Sequence, residues 1–157
     1  MSGTGDKAMG GARSAARLAA VQALYQIEQS GEADPERVVA EFMRHRLGQE
    51  IDGALFAEPD RDLFRDIVVG TMARCEEIDA NLAAVLKAGW TLVRLQSVLR
   101  SALRAGVYEL MARPDIPTAV VIDEYLDIIR AFMDDAETGF ANGILDRLGR
   151  ELRSGRG

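Results

Sequence analysis

The sequence predicts an all-α protein, and three observations support that class. Hydrophobic residues make up 48% of the 157 residues whereas aromatic residues make up only 6%, and alanine and leucine are abundant. This composition favours helices over sheets. Apolar residues recur at helical spacing from end to end, and no segment alternates as a strand does. A chain of this length forms one compact unit or two tightly packed subdomains.

The first two helices are predicted before residue 48. A helix from about Ala12 to Gln29 carries one apolar stripe, and Ser30-Gly31 supplies its stop,. Asp34 and Pro35 are typical of an N-cap followed by a first-turn proline, and they open a short helix that extends to about Leu47,.

A long helical stretch is predicted next, after a polar loop. Helical spacing runs from Asp62 as far as Gly89, and Gly70 either divides that stretch or allows close packing,. Thr91 is predicted to cap the following helix. The segment 113–117, which holds two prolines, then breaks the chain,.

Two helices are predicted at the end of the chain, one through 121–132 and one through 140–152. Asn142-Gly143 would be a strong hairpin signal between alternating strands. Its flanks instead have a helical period, so we interpret Gly143 as a point where another helix backbone approaches closely.

Charge and composition exclude several classes of function. The net charge of −6 disfavours a protein that coats nucleic acid indiscriminately,. The single Cys75 and the single His45 suggest neither a disulfide nor a metal cluster, and ordinary packing accounts for Cys75 better than nucleophilic catalysis,. We find no cofactor motif and expect no enzymatic activity. The lack of a possible internal disulfide fits a reducing, cytoplasmic environment. The N-terminus resembles neither a signal peptide nor a membrane span.

A series of motifs runs in order from residue 12 to residue 146. The motifs are Ala12-Arg13-Ser14-Ala15-Ala16-Arg17, Val21-Gln22-Ala23-Leu24-Tyr25-Gln26, Phe64-Arg65-Asp66 with Val69-Gly70, Glu77-Ile78-Asp79, Trp90 with Arg94-Leu95, Leu103-Arg104 with Val107-Tyr108-Glu109-Leu110, Asp115-Ile116-Pro117, and Phe140-Ala141-Asn142-Gly143-Ile144-Leu145-Asp146. In this order they resemble the NusB family of transcription antitermination factors.

The resemblance implies a NusB-like fold of two packed helical bundles. We expect a flexible arm over 1–11, an N-terminal bundle over 12–89, a C-terminal bundle over 90–153 and a flexible tail over 154–157. It also implies binding of boxA-type RNA together with NusE, a small-subunit ribosomal protein, in support of ribosomal RNA transcription by the elongation complex. Family members are monomers or homodimers, and the sequence does not choose between these states.

The predicted RNA contacts begin in the first helix. Arg13 and Arg17 lie four residues apart and would form a cationic strip, with Lys7 before them,. Without the resemblance, an ordinary solvated helix face would explain both arginines. Ser14 and Ala15 stand where the family often has further arginines.

Phe132 and Phe140 are the other predicted RNA contacts. They bracket an acidic connection, 133–139, in a region that the family places near RNA and partner. Each ring either stacks on an unpaired base, which contributes about 1–3 kcal/mol, or belongs to the core.

The predicted partner contacts are Tyr25, Arg104 and Glu137. Tyr25 and Tyr108 would each have a buried ring with the hydroxyl reaching a surface or partner group. Arg104 and Glu109 either add polar contacts at the bundle surface or form a structural ion pair.

The region from 123 to 139 departs from the family pattern: Asp123-Glu124-Tyr125 replaces Asn-Glu-Ala, and the connection lacks the usual serines. A scaffold that binds a protein partner without RNA therefore remains an alternative. So does a detached RNA-binding domain of an RNA cytosine methyltransferase. The arginines at 147, 150, 153 and 156 are a secondary candidate for the RNA surface,.

Overall fold

The structure is a computed structural model that describes residues 2–47, 59–87 and 89–154, with side chains from Gly11 onward. The described residues are helical and contain no strand, which confirms the all-α prediction. The helices are α1 (Ser2–Ser30), α2 (Pro35–His45), α3 (Arg61–Ala73), α4 (Cys75–Val85), a 3-10 turn (Leu92–Arg94), α5 (Ser97–Ala112), α6 (Thr118–Phe132) and α7 (Asp135–Arg153).

The chain forms two compact units, Met1–Val69 and Gly70–Gly157. The division lies within α3, whereas the sequence analysis placed it between residues 89 and 90. Its position follows from α4, which packs against α5 and α7 and so belongs to the second unit. The N-terminal end differs as well, because α1 begins at Ser2 and the backbone of the expected 1–11 arm is helical from that residue. Residues 155–157 of the expected C-terminal tail lie outside the described residues.

The first unit is built on the buried stripe that the periodicity of α1 predicts. Ala16, Ala20, Leu24 and Ile27 are all buried. The helix stops where predicted, because Gly31 has φ +73 and its N–H bonds to the Ile27 carbonyl at 2.9 Å. Glycine adopts this left-handed conformation without the steric penalty that a Cβ brings.

Helix α2 starts as its cap predicts and packs through an aromatic contact. The Asp34 side chain accepts a hydrogen bond from the Glu36 N–H, and Pro35 occupies the first turn,. The buried Phe42 ring stacks on Phe64 of α3 with 5.7 Å between ring centroids, while the Arg46 guanidinium covers Phe42 at 4.5 Å from its centroid,.

The long helical stretch breaks at Arg74, between α3 and α4, and not at Gly70. Gly70 instead allows close packing, the other interpretation that the sequence left open. A Cβ built at Gly70 would lie 2.2 Å from Cζ of Tyr108, and the Tyr108 ring is buried. Glycine is therefore the residue type that this contact accommodates.

Thr91 does not cap the next α-helix. It precedes the 3-10 turn and makes no side-chain capping bond, and α5 begins six residues later at Ser97. The guanidinium of Arg100 spans this connection, donating to the Leu92 and Leu95 carbonyls at 2.7 Å each. These two bonds hold the 3-10 turn and the residue that follows it against the start of α5,.

Helix α5 is the centre of the second unit and packs against α4, α6 and α7. Two glycines permit the close approach of neighbouring helices: a Cβ at Gly106 would lie 3.2 Å from a Leu145 methyl, and one at Gly149 would lie 2.8 Å from the Thr118 methyl. The prediction that Gly143 marks such an approach is wrong, because no described atom of another helix lies within 4 Å of a Cβ built there.

A polar cluster is buried beneath the apolar residues of this unit. Glu109 and Tyr125 are fully buried, and the Tyr125 hydroxyl donates to the Glu109 carboxylate at 2.5 Å. Of the two alternatives for Glu109, a polar contact at the bundle surface is therefore excluded. A buried carboxylate needs such a donor, since desolvation without one is costly.

Arg153 closes the C-terminal end of α5. Its guanidinium donates to the carbonyls of Leu110, Ile116, Glu109 and Arg113 at 2.7–3.2 Å and to the Thr118 hydroxyl at 3.0 Å. Desolvation by burial lowers the pKa of Arg153, against the opposite effect of the Asp115 and Glu109 carboxylates. A single side chain thus binds several carbonyls at and just beyond the end of the helix, where regular helical donors run out.

Candidate nucleic-acid interface

The structure does not contain the cationic strip that the sequence analysis predicted on α1. Arg13 is exposed, but Arg17 is only 2% exposed and takes part in an interaction within the protein. Arg17 lies one turn before the buried Ala20 and Val21, so it shares their side of the helix,. The side chain of Lys7 lies outside the described residues.

The exposed side of α1 carries apolar groups instead. Leu18 is 37% exposed and Tyr25 is 39% exposed, and seven residues place both on one face of a helix. The expectation of a buried Tyr25 ring is therefore wrong, whereas the Tyr108 ring is buried as expected. We call Leu18 and Tyr25 the α1 stripe, a surface suited to a partner because it exposes both an apolar area and a phenolic hydroxyl.

Arg104 forms a structural ion pair with Asp79 in the second unit. Its Nε and Nη2 donate to the two carboxylate oxygens of Asp79 at 2.8 and 2.9 Å. This fork-to-fork geometry ties α5 to α4. Of the two alternatives for Arg104, the structure contains the ion pair.

The predicted RNA contact Phe132 is half exposed, at 50%, at the C-terminal end of α6. Phe140 is partly buried and packs beside Trp90, with 5.7 Å between ring centroids and 47° between ring planes. Neither ring is fully enclosed in the core. The sequence analysis quoted Trp90 only as part of a motif, and nothing in the local sequence shows that it meets Phe140 fifty residues later.

Trp90 and Phe140 line a cavity of about 300 Å³, which we call the Trp90–Phe140 cavity. Arg94 also lines it, with its guanidinium carbon 5.7 Å from the Trp90 ring centroid and Nη1 donating to the Gly89 carbonyl at 2.6 Å. Glu137, in the first turn of α7, is another lining residue. Its Oε1 is buried and has no hydrogen-bond partner among the described residues.

A second cavity, of about 250 Å³, shares Phe140 with the first. Gly139 and Gly143 form part of its wall, and no described atom lies within 4 Å of a Cβ built at either. Lys87 and Arg147 also line it, and the Arg147 Nε donates to Glu151 at 2.9 Å. The absence of side chains at the two glycines therefore leaves an open groove whose lining includes two cations.

The rest of the arginine-rich C-terminal segment is mostly engaged within the protein. Arg153 closes α5, Arg150 pairs with Asp146 at 2.9 Å, and Arg156 lies outside the described residues. No group of three or more histidine, cysteine or acidic residues in the described ranges could hold a metal ion. Within those same ranges, no helix is both long enough and apolar enough to cross a membrane.

These features define a class: an all-helical binding protein with an exposed apolar stripe on one unit and an aromatic, cation-flanked cavity on the other. A model of the NusB family matches residues 14–150. The chain belongs to the NusB family.

Relatives and solved structures agree with this assignment. The transcription antitermination protein NusB of Sphingopyxis alaskensis is 51% identical over 142 residues, which cover 90% of this chain and 94% of the relative. That of Rhizobium etli is 49% identical over 142 residues, covering 90% and 88%. A structure of T. maritima NusB has a TM-score of 0.74 at 31% identity, covering 88% of this chain and 91% of that one.

One further structure contains a NusB protein together with binding partners. It contains the antitermination factors NusB and NusE in complex with dsRNA. Its matched chain has a TM-score of 0.73 at 25% identity, covering 88% of this chain and 96% of that one.

Proposed function

We propose that the protein is a transcription antitermination factor that binds boxA-type RNA together with NusE and so supports ribosomal RNA transcription by the elongation complex. A relative 51% identical to this chain carries the antitermination name, and a structural neighbour was solved with NusE and dsRNA. The protein acts by binding, without a catalytic step, in the cytoplasm where the transcription machinery works.

The observation that carries the RNA part of the proposal is the set of accessible aromatic rings in the second unit. Trp90 and Phe132 are about half exposed, and Phe140 lines both cavities. Stacking of an unpaired base on such a ring contributes about 1–3 kcal/mol. The exposed cation Arg94 lies beside Trp90, and the exposed Lys87 lines the second cavity together with Phe140; both suit the phosphate backbone.

The α1 arginines divide into two roles. The exposure of Arg13 supports a phosphate contact, to which we add the predicted contact of Lys7. The burial of Arg17 supports a structural role, because a buried guanidinium is stable only when it is paired,.

The partner contact is proposed for the α1 stripe. Tyr25 is the predicted partner residue whose exposure supports that role, and Leu18 extends the apolar area. Arg104 acts indirectly, through the ion pair that holds α4 to α5. Two modest contacts, one to RNA and one to NusE, make strong binding together because the second becomes effectively intramolecular.

The test is a titration of labelled boxA RNA with the protein, with NusE and with the pair, at two salt concentrations and against a scrambled RNA. The pair is expected to bind boxA more tightly than either component does. Arg13→Ala should weaken binding and reduce the slope of log K against log salt by about 1. Arg37→Ala removes an equally exposed charge of the same unit and serves as the control.

Phe132→Ala tests the aromatic contribution in the same titration. We expect a loss of about 1–3 kcal/mol of binding free energy with little change in salt slope, because stacking does not release counterions. Val120→Ala, at another exposed apolar position of α6, is the control.

If the protein binds NusE but adds neither affinity nor sequence preference for boxA, it is a scaffold that does not bind RNA, and the proposed function is wrong.

A further inference from the structure

The shape and walls of the Trp90–Phe140 cavity suit one flat ring. Its volume of about 300 Å³ lies at the lower end of ligand cavities, which typically measure about 300–1,000 Å³. Trp90 and Phe140 form aromatic walls and Leu95 and Leu99 add apolar surface. Aromatic walls accept any planar ring of this size, so they select a class of ligand but not its identity.

The carboxylate of Glu137 restricts the ligand further. An ionised carboxylate only accepts hydrogen bonds, and Oε1 of Glu137 is buried without a partner among the described residues. A buried acceptor in this state has lost its solvation and gained nothing in return. Rotation of the carboxylate about its terminal torsion is soft, so a ligand with N–H donors on one edge can engage it.

The surrounding charges decide between two kinds of donor-bearing ligand. An arginine side chain of a partner protein would pair with Glu137, but Arg94 lines the same cavity and Lys87 and Arg147 line the adjoining one. Arg147 is partly neutralised by Glu151; Arg94 and Lys87 are exposed. The acidic neighbours Asp134 and Asp135 do not line the cavity, whereas these cations repel an incoming arginine and attract a polyanion, which favours a base of a nucleic acid.

We propose that the Trp90–Phe140 cavity is a guanine pocket, in which Glu137 accepts hydrogen bonds from N1–H and the N2 amino group of an unpaired guanine. Guanine presents two adjacent donors on its Watson–Crick edge. Adenine and cytosine place a ring acceptor beside their amino group, and uracil places its single N–H between two carbonyls. The inference rests on the proposed RNA binding and assigns a base preference to one part of it.

Trp90 is the single tryptophan of the chain, so its fluorescence reports directly on this cavity. The probes are the RNA pentanucleotides UUGUU, UUAUU, UUCUU and UUUUU, together with the inosine analogue of the first, which lacks the N2 amino group. We expect UUGUU to bind about 5- to 150-fold more tightly than UUAUU, the range given by one good bidentate pair. The inosine probe should bind with intermediate affinity.

Glu137→Gln tests the assigned residue, because its amide replaces one acceptor with a donor and should reduce the guanine preference to about parity. Asp135→Asn is the matched control: it removes a charge from the same first turn of α7 but does not line the cavity, and it should keep the preference. Circular dichroism establishes that both variants fold.

Equal binding of the guanine and adenine probes would overturn the inference. A guanine preference that survives in Glu137→Gln would also overturn it. So would tighter binding of an arginine tripeptide than of any pentanucleotide, measured through the fluorescence of Trp90. The boxA titration with NusE is read separately. Tight boxA binding without guanine preference at Trp90 rejects the pocket alone, whereas guanine binding without boxA recognition rejects the proposed function alone.

Discussion

Within the described structure, Arg153 makes more hydrogen bonds than the other arginines of α7, Arg147 and Arg150. Its replacement by Ala removes the donor that bonds the Leu110 and Ile116 carbonyls, and we expect the free energy of unfolding to fall by about 2–3 kcal/mol. Chemical denaturation followed by circular dichroism measures this. Arg150→Ala removes an exposed arginine whose ion pair is in solvent and should cost at most about 0.5 kcal/mol. Equal effects of the two variants would contradict the role assigned to Arg153.

The buried hydrogen bond between Tyr125 and Glu109 makes a second prediction for a single side chain. Tyr125→Phe removes only the hydroxyl that donates to Glu109, and we expect a loss of about 1–3 kcal/mol in unfolding free energy. Tyr25→Phe removes the same group from an exposed ring and should leave stability nearly unchanged. Urea denaturation of the two variants compares the same atom in two environments, and a neutral Tyr125→Phe would show that Glu109 does not depend on it.

At the scale of the helices, two glycines in helical segments should respond in opposite directions to the same substitution. Gly70→Ala drives a methyl into the Tyr108 ring, and such overpacking costs about 1–3 kcal/mol. Gly143→Ala extends into open space and should stabilise α7 by about 0.5–1 kcal/mol, the helical advantage of Ala over Gly. Thermal melts measure both, and destabilisation by Gly143→Ala would mean that its surroundings are filled.

The helices show how much of the fold the sequence predicts and where the prediction ends. Periodicity and capping residues predicted α2 from Asp34 and the break at 113–117, because those signals are local. The break at Arg74 carries no glycine or proline, so the sequence showed a single stretch there. Gly143 was misread because a glycine within a helix does not reveal whether its missing side chain leaves room for a neighbour or an open groove.

The candidate site was predictable only in part, for a related reason. Phe132 and Phe140 were identified through the family, but the contact of Phe140 with Trp90 joins residues fifty positions apart. The sequence analysis assigned Arg17 to a cationic surface strip, whereas the structure buries it one turn before Ala20. Burial depends on which other helix covers a face, and that information is absent from a single helix.

At the scale of the whole molecule, the two candidate contacts belong to different compact units: the α1 stripe to Met1–Val69 and the Trp90–Phe140 cavity to Gly70–Gly157. Each unit has its own core, so a surface change in one should leave the other intact. The net charge of −6 also limits unaided RNA binding, which makes the partner contact important for affinity. The two contacts should therefore be separable in binding experiments although both contribute to the complex.

The double variant Leu18→Asp with Tyr25→Asp tests that separation. Charges placed on an exposed apolar stripe should weaken NusE binding by about tenfold or more, since aromatic contacts often dominate an interface. The quenching of Trp90 by UUGUU should not change, because the cavity is built entirely by the other unit. Val120→Asp, an exposed apolar residue outside α1, should leave both readings at their original values. Isothermal titration with NusE and fluorescence titration with the pentanucleotide measure the two effects on one preparation, and a parallel loss of both would mean that partner and RNA binding share a single surface.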